Sequence, residues 1–203
     1  MSDLKVPLFP VTGSVRREAR AALKGQRPCC IWLTGLSGSG KSSLANALEL
    51  ALHRERVHSF LLDGDQVRGG LCSDLDMSPE GRRENIRRLA QAARLMTEAG
   101  LVVIVAAISP FRAERDAARA LFPADEFLGV YLSTPLQTCA ERDPKGLYKA
   151  AREGRLRNFT GIDSPYEPPL DADFEVDATD TSIDEACRRL LGLVLQRCRP
   201  GPA

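Results

Sequence analysis

No charge of either sign dominates this chain: 28 lysines and arginines stand against 27 aspartates and glutamates in 203 residues, a formal net charge of +1. That balance excludes a strongly basic nucleic-acid binder and an acidic tail, and it leaves a small molecule as the expected partner. Long hydrophobic runs are also missing. The longest, Leu101–Ile108, is far short of the ~20 residues of a membrane helix, so no membrane span or membrane partner is expected; it matches a buried strand of a parallel sheet. The N-terminus sets Asp3 and Lys5 among scattered apolar residues and lacks the continuous apolar stretch of a secretory signal, which makes the cytoplasm the expected compartment. Cys29, Cys30, Cys72, Cys139, Cys187 and Cys198 show neither CxxC spacing nor histidines at ligand spacing, so they read as reduced and mostly structural. Histidine is scarce: His53 and His58 are the two present, and both read as structural.

What is present is concentrated in Gly35-Leu36-Ser37-Gly38-Ser39-Gly40-Lys41-Ser42, which fills every position of the phosphate-binding loop G-x-x-x-x-G-K-[ST]. Its glycines let the backbone curl around a phosphate with N–H groups pointing inward. Lys41 can reach the β- and γ-phosphates, and the Ser42 hydroxyl can ligand Mg²⁺ at the start of the following helix, with Ser43 beside it. ATP and Mg²⁺ are therefore the expected cofactors. The flanks fit: Cys29–Thr34 reads as a buried strand and Ser43–Leu52 as a helix.

Downstream, apolar runs at 57–62, 101–108, 127–132 and 173–177 read as strands, separated by helical patterns at 78–99, 113–121 and 135–142 and followed by one from Ser182 to about Arg197. Strands alternating with helices predict an α/β fold, a three-layer sandwich of the P-loop NTPase type with a mainly parallel sheet and helices on both faces. Residues 1–25 read as an N-terminal arm with a helix from Ser14 to Lys24. Residues 26–199 form the catalytic domain, and 200–203 a tail. Between Asp143 and Pro169 regularity fails amid Gly, Pro, Arg and aromatic residues, and this stretch is expected to be a mobile lid.

No N-K-x-D guanine reader and no D-x-x-G switch is present, which disfavours a signalling GTPase. An acidic pair after the second strand, an arginine-rich helix and a lid suit phosphoryl transfer to a small acceptor. Ordered blocks then resemble the adenylylsulfate kinase family: Trp32–Ser42, Asp63-Gly64-Asp65-Gln66-Val67-Arg68, Glu84–Arg88, Ala107–Arg112, Arg142–Tyr148, Phe159–Asp163 and Pro165-Tyr166-Glu167. The resemblance implies transfer of the ATP γ-phosphate to the 3′-hydroxyl of adenosine 5′-phosphosulfate, a homodimer, and a functional link to ATP sulfurylase. Two rivals stay open: an inactive nucleotide-binding module regulating a sulfurylase, and a P-loop kinase for another small hydroxyl compound.

The resemblance implies that Asp63 and Asp65 serve Mg²⁺ and acceptor, with either able to be the base and Asp63 expected as the metal ligand beside Ser42. Arg68, Arg82 and Asn85 bind the acceptor's anionic group, for which arginine's planar donors are suited. Arg83 and Arg87 read as solvated helix positions. Ile108 ends the third strand and Ser109 follows it, both beside the acceptor; acceptor binding suits Ser109 better than covalent catalysis, since no histidine accompanies it. Phe159, as an exposed lid aromatic, is implied to stack on the acceptor's adenine, with Thr160 and Gly161 beside it. Lys145 neutralises charge on the transferring group. One departure stands out, because Asp76-Met77 occupies the place where the family usually has Gly-Phe.

Overall fold

The computed structural model describes residues 13–199. Residues 1–12 of the expected arm, and the whole tail, lie outside the described residues.

The buried runs form five strands, β1 Cys29–Thr34, β2 Ser59–Asp63, β3 Val102–Ala106, β4 Phe127–Leu132 and β5 Phe174–Val176. They lie in one sheet in the order β2-β3-β1-β4-β5, parallel at every junction. β1 and β3 are buried along their whole length, as continuous apolar runs covered on both faces require.

Eight α-helices and a 3-10 turn at Ala124–Glu126 complete the described chain: α1 Arg17–Leu23, α2 Lys41–Arg54, α3 Gly64–Arg68, α4 Pro79–Glu98, α5 Arg112–Arg119, α6 Leu136–Arg142, α7 Leu147–Arg152 and α8 Ile183–Cys198. α2 and α8 cover one face, where Leu44, Leu48 and Leu190 meet Ile31, Ile104 and Leu128. α4 covers the other, where Ile86, Leu89 and Ala93 meet Trp32, Val103 and Val105. Ser78 starts α4 as expected: its hydroxyl accepts from Gly81 N, and Pro79 occupies the first turn. All six cysteines are buried and unpaired. Among the described residues no helix is long and apolar enough to cross a membrane.

Asp63 caps the one-turn helix α3 by accepting from Asp65 N. Two expectations need correction. The lid is not irregular throughout, since α7 forms where both carboxylate oxygens of Asp143 accept backbone N–H groups, from Tyr148 and Lys149. The N-terminal helix begins at Arg17, not Ser14.

Candidate active site

The phosphate loop leaves the carboxyl end of β1 and enters α2, beside the Ser109 segment that leaves β3. Thr34 joins the two by donating to Ile108 O at 2.6 Å. Open parallel sheets place ligands at such a strand end, where successive connections diverge. Two glycines of the loop are sterically required. A Cβ on Gly35 (φ 151°) would stand 2.7 Å from Leu132 O, and one on Gly38 (φ 77°) 2.9 Å from Cys139 O.

Lys41 is buried. Its ammonium donates to Gly35 O at 3.0 Å and Leu36 O at 2.7 Å, held inside the loop that would receive a phosphate. Burial lowers its pKa to about 8. Ser42 Oγ donates to Asp63 Oδ2 at 2.7 Å, and Asp63 Oδ1 accepts from Asp65 N at 3.0 Å. A hydroxyl and a carboxylate side by side are hard oxygen donors of the kind Mg²⁺ takes together with water and phosphate oxygens. Among the described residues no group of three His, Cys, Asp or Glu forms a closed metal cage, and Mg²⁺ at a phosphate site does not call for one. Asp65 faces the lid in an ion pair with Lys145.

The opposite wall comes from α4. Arg82 and Asn85, on one face of the helix, are both buried, whereas Arg87 pairs on the surface with Glu84, and Arg88 with Glu84 and Asp74. Arg82 reaches across to the lid: Nη1 donates to Asn158 O and Thr160 Oγ1, each at 3.0 Å, and Nη2 to Ser164 Oγ at 2.8 Å. Asn85 Oδ1 is buried without a partner. Arg68, part-buried beside Asp76 O, has its pKa lowered by desolvation. Ser109 is buried with φ 39°; its hydroxyl accepts from Trp32 Nε1 at 3.1 Å and faces Ala107 O.

The lid is tied at both ends. Near its start, Tyr148 donates to Ser37 O at 2.9 Å and meets Phe159 edge-on at 4.9 Å. Near its end, Arg115 donates to Ser109 O and Glu167 O, both at 2.6 Å, and Glu167 Oε2 accepts from Arg112 N at the start of α5. Phe159 is therefore not the exposed aromatic expected: it is 5% exposed, anchoring the lid while also lining the cleft.

These elements enclose one cleft of about 750 Å³. It brings together Ser37, Gly38, Gly40, Lys41, Ser42 and Ser43 from the loop, Asp63, Asp65 and Arg68 after β2, Arg82 and Asn85 from α4, Ile108 and Ser109 after β3, and Lys145, Phe159 and Thr160 from the lid. Gly35, Leu36, Ser39 and Gly161 do not line it; they shape the loop and its packing, Leu36 against the lid cluster and Gly161 against Leu136 and Leu36. Arg142, Ala178, Thr181, Ser182 and Ile183 also line the cleft, none of them expected as a site residue. Arg142 donates to Ala178 O at 2.6 Å, a bond across 36 residues of sequence that no local pattern signals.

A family model described as Adenylylsulphate kinase matches residues 27–177. The chain belongs to the adenylylsulphate kinase family. It is 52% identical over 183 residues to an adenylyl-sulfate kinase of Marinobacter nauticus, covering 90% of this chain and 92% of the relative. It is 54% identical over 184 residues to one of Vibrio cholerae, covering 91% and 86%. Among solved structures it is similar to the Mycobacterium tuberculosis APS kinase in complex with AMPPNP and APS, with TM-score 0.79 and 46% identity over 83% of this chain and 98% of that one. Asp76 takes a local role: its carboxylate accepts from Ser78 N at 3.0 Å just before α4. Met77 lines the cleft half-exposed.

Proposed function

We propose that this chain is an adenylyl-sulfate kinase, transferring the γ-phosphate of ATP to the 3′-hydroxyl of adenosine 5′-phosphosulfate to give 3′-phosphoadenylyl sulfate and ADP. The observation that carries this reading is one cleft in which a phosphate loop with Lys41 faces two buried acceptor-wall residues, Arg82 and Asn85, across the carboxylates of Asp63 and Asp65. Loop N–H groups and Lys41 hold the donor phosphates. Lys41 leaves its carbonyl partners for them, exchanging neutral acceptors for charged ones. Ser42 and Asp63 are the residues that would hold Mg²⁺, which when bound offsets phosphate charge. Arg68, Arg82 and Asn85 orient the acceptor's phosphosulfate.

Asp65 orients the attacking hydroxyl and accepts its proton, and Lys145, its partner here, turns to the transferring group as charge develops. Ser109 acts by positioning, since its hydroxyl already accepts from Trp32 and direct in-line transfer needs no nucleophilic side chain. Phe159 and Met77 bracket the acceptor's adenine. The domain limits given above, cytoplasmic location, a homodimer and a functional link to ATP sulfurylase belong to the same proposal, supported by the family resemblance. Light scattering on the purified protein checks the dimer.

The test is ADP release from MgATP with adenosine 5′-phosphosulfate beside a panel of other hydroxyl acceptors, for the wild type and Asp65→Asn. Turnover confined to adenosine 5′-phosphosulfate, and about 10²–10⁴-fold slower in the variant with ATP affinity retained, is expected. Turnover with another acceptor only would reassign the substrate. Tight ATP binding without any turnover would leave a regulatory module.

A further inference from the structure

Three groups behind the acceptor wall are not used by the chemistry above. Glu114 on α5 has a side chain only 11% exposed, and both of its carboxylate oxygens are sealed from solvent without a hydrogen-bond partner. Arg82 Nε, on the adjoining α4, is likewise buried and unpartnered. Arg83 Nε stands 3.8 Å from Glu114 Oε1, and Arg82 and Arg115 also act on the carboxylate electrostatically. A buried carboxylate and a buried N–H each left unmet are costly. Their presence on two helices packed against each other behind one wall implies a state in which they are used.

We infer that Glu114 is the positioning residue of the acceptor wall, a sealed counter-charge that keeps Arg82 aimed into the cleft and accepts from its Nε when an acceptor anion draws the Arg82 fork away from the lid. In the present arrangement both terminal nitrogens of Arg82 are spent on Asn158, Thr160 and Ser164. An anion competing for that fork must turn the guanidinium, and Nε is the one of its three nitrogens that has no partner and is left to anchor it. Without Glu114, the buried guanidiniums of Arg82 and Arg115 would lose the carboxylate sealed near them, while solvent-exposed Arg83 would keep Glu80. Arg115, which holds the Ser109 carbonyl, would be disturbed with Arg82. Burial raises the Glu114 pKa against the pull of Arg83, Arg82 and Arg115, with Glu167 of the lid end acting in the same direction as burial. The carboxylate is charged above that raised pKa and loses its charge as pH falls through it.

This inference rests on the proposed reaction, and its test is steady-state kinetics of the full chain with E114Q and E114D. E114Q is expected to raise KM for adenosine 5′-phosphosulfate about tenfold, the scale of one charge-assisted contact, with KM for ATP within about twofold. The wild-type fall of kcat/KM for the acceptor on the acid side, measured relative to E114Q so that substrate ionisation cancels, is expected to disappear in the variant. E114D is expected to restore most of the affinity. An unchanged acceptor KM in E114Q, or equal losses toward both substrates, overturns the inference. Should E114Q fail to fold by thermal melting, the acid limb is read in E114D, where a shifted limb supports the inference and an unmoved limb overturns it. Absence of turnover in the wild type sinks the functional reading and this inference together, whereas wild-type turnover with an unaltered acceptor KM in E114Q sinks only the inference.

Discussion

The two halves of the cleft are built differently. The donor half is a single stretch of chain, Gly35–Ser43, held by its own backbone geometry and by short-range bonds such as Lys41 to Gly35 O and Leu36 O. The acceptor half has no such continuity: Asp65, Arg82, Ser109 and Phe159 meet only through bonds spanning long sequence separations, such as Arg82 to Thr160 and Arg115 to Glu167. A site made of one loop is rigid before any ligand arrives. A site made of several elements depends on each of them and can be retuned at any one.

The sharpest break of that contrast removes the donor half's cation. Lys41→Ala is expected to lower kcat/KM for ATP by about 10³-fold, the scale of losing a preorganised charge donor, with acceptor binding to the free protein kept; steady-state kinetics and calorimetric titration check it. The same residue gives a pH signature. Its pKa is lowered to about 8 by burial, so the ammonium is present below that pH and kcat/KM for ATP should fall as pH rises through it, since that parameter reports the free enzyme.

Next in size, Arg82→Ala should raise the acceptor KM by about 10–100-fold while leaving ATP affinity within a few-fold. Because Arg82 also bonds to the lid, limited proteolysis near Gly154 should become faster. Equal losses toward both substrates would break the division into halves. Met77→Phe should sharpen the acceptor half in the other direction: a ring where a half-exposed thioether now stands should lower the acceptor KM by about three- to tenfold. The smallest effect is expected where the halves touch. Tyr148→Phe removes the hydroxyl bond to Ser37 O and should cost about 1 kcal/mol of stability, read by chemical denaturation, with a modest rise in KM for ATP.

The sequence was uneven as a guide for the same reason. β1, the phosphate loop and α2 were readable because each is specified locally, by an apolar run, by glycines at obligatory positive φ, and by helical spacing. The α4 start was readable from Ser78 and Pro79. The α7 helix was not, because its capping group, Asp143, precedes a glycine in the left-handed region, and its apolar side chains find a face to cover only once Leu36, Cys139 and Phe159 are assembled. Phe159 looked exposed because a Gly-rich loop gives no sign of a buried neighbour such as Tyr148. Arg142 belongs to a motif block, but its place in the cleft was not legible because its partner, Ala178 O, lies on a distant segment.

By itself, then, the sequence determined the parallel α/β fold, the donor phosphate site and, through ordered motif blocks, the family, since backbone sterics and the periodicity of burial act within a few residues. Tertiary structure alone decided which arginines leave the solvent, that the lid is latched to Arg82, and that Glu114 lies sealed behind it. Burial and charge pairing are properties of neighbours in space, and α4, α5 and the lid become neighbours only when the sheet has brought them together.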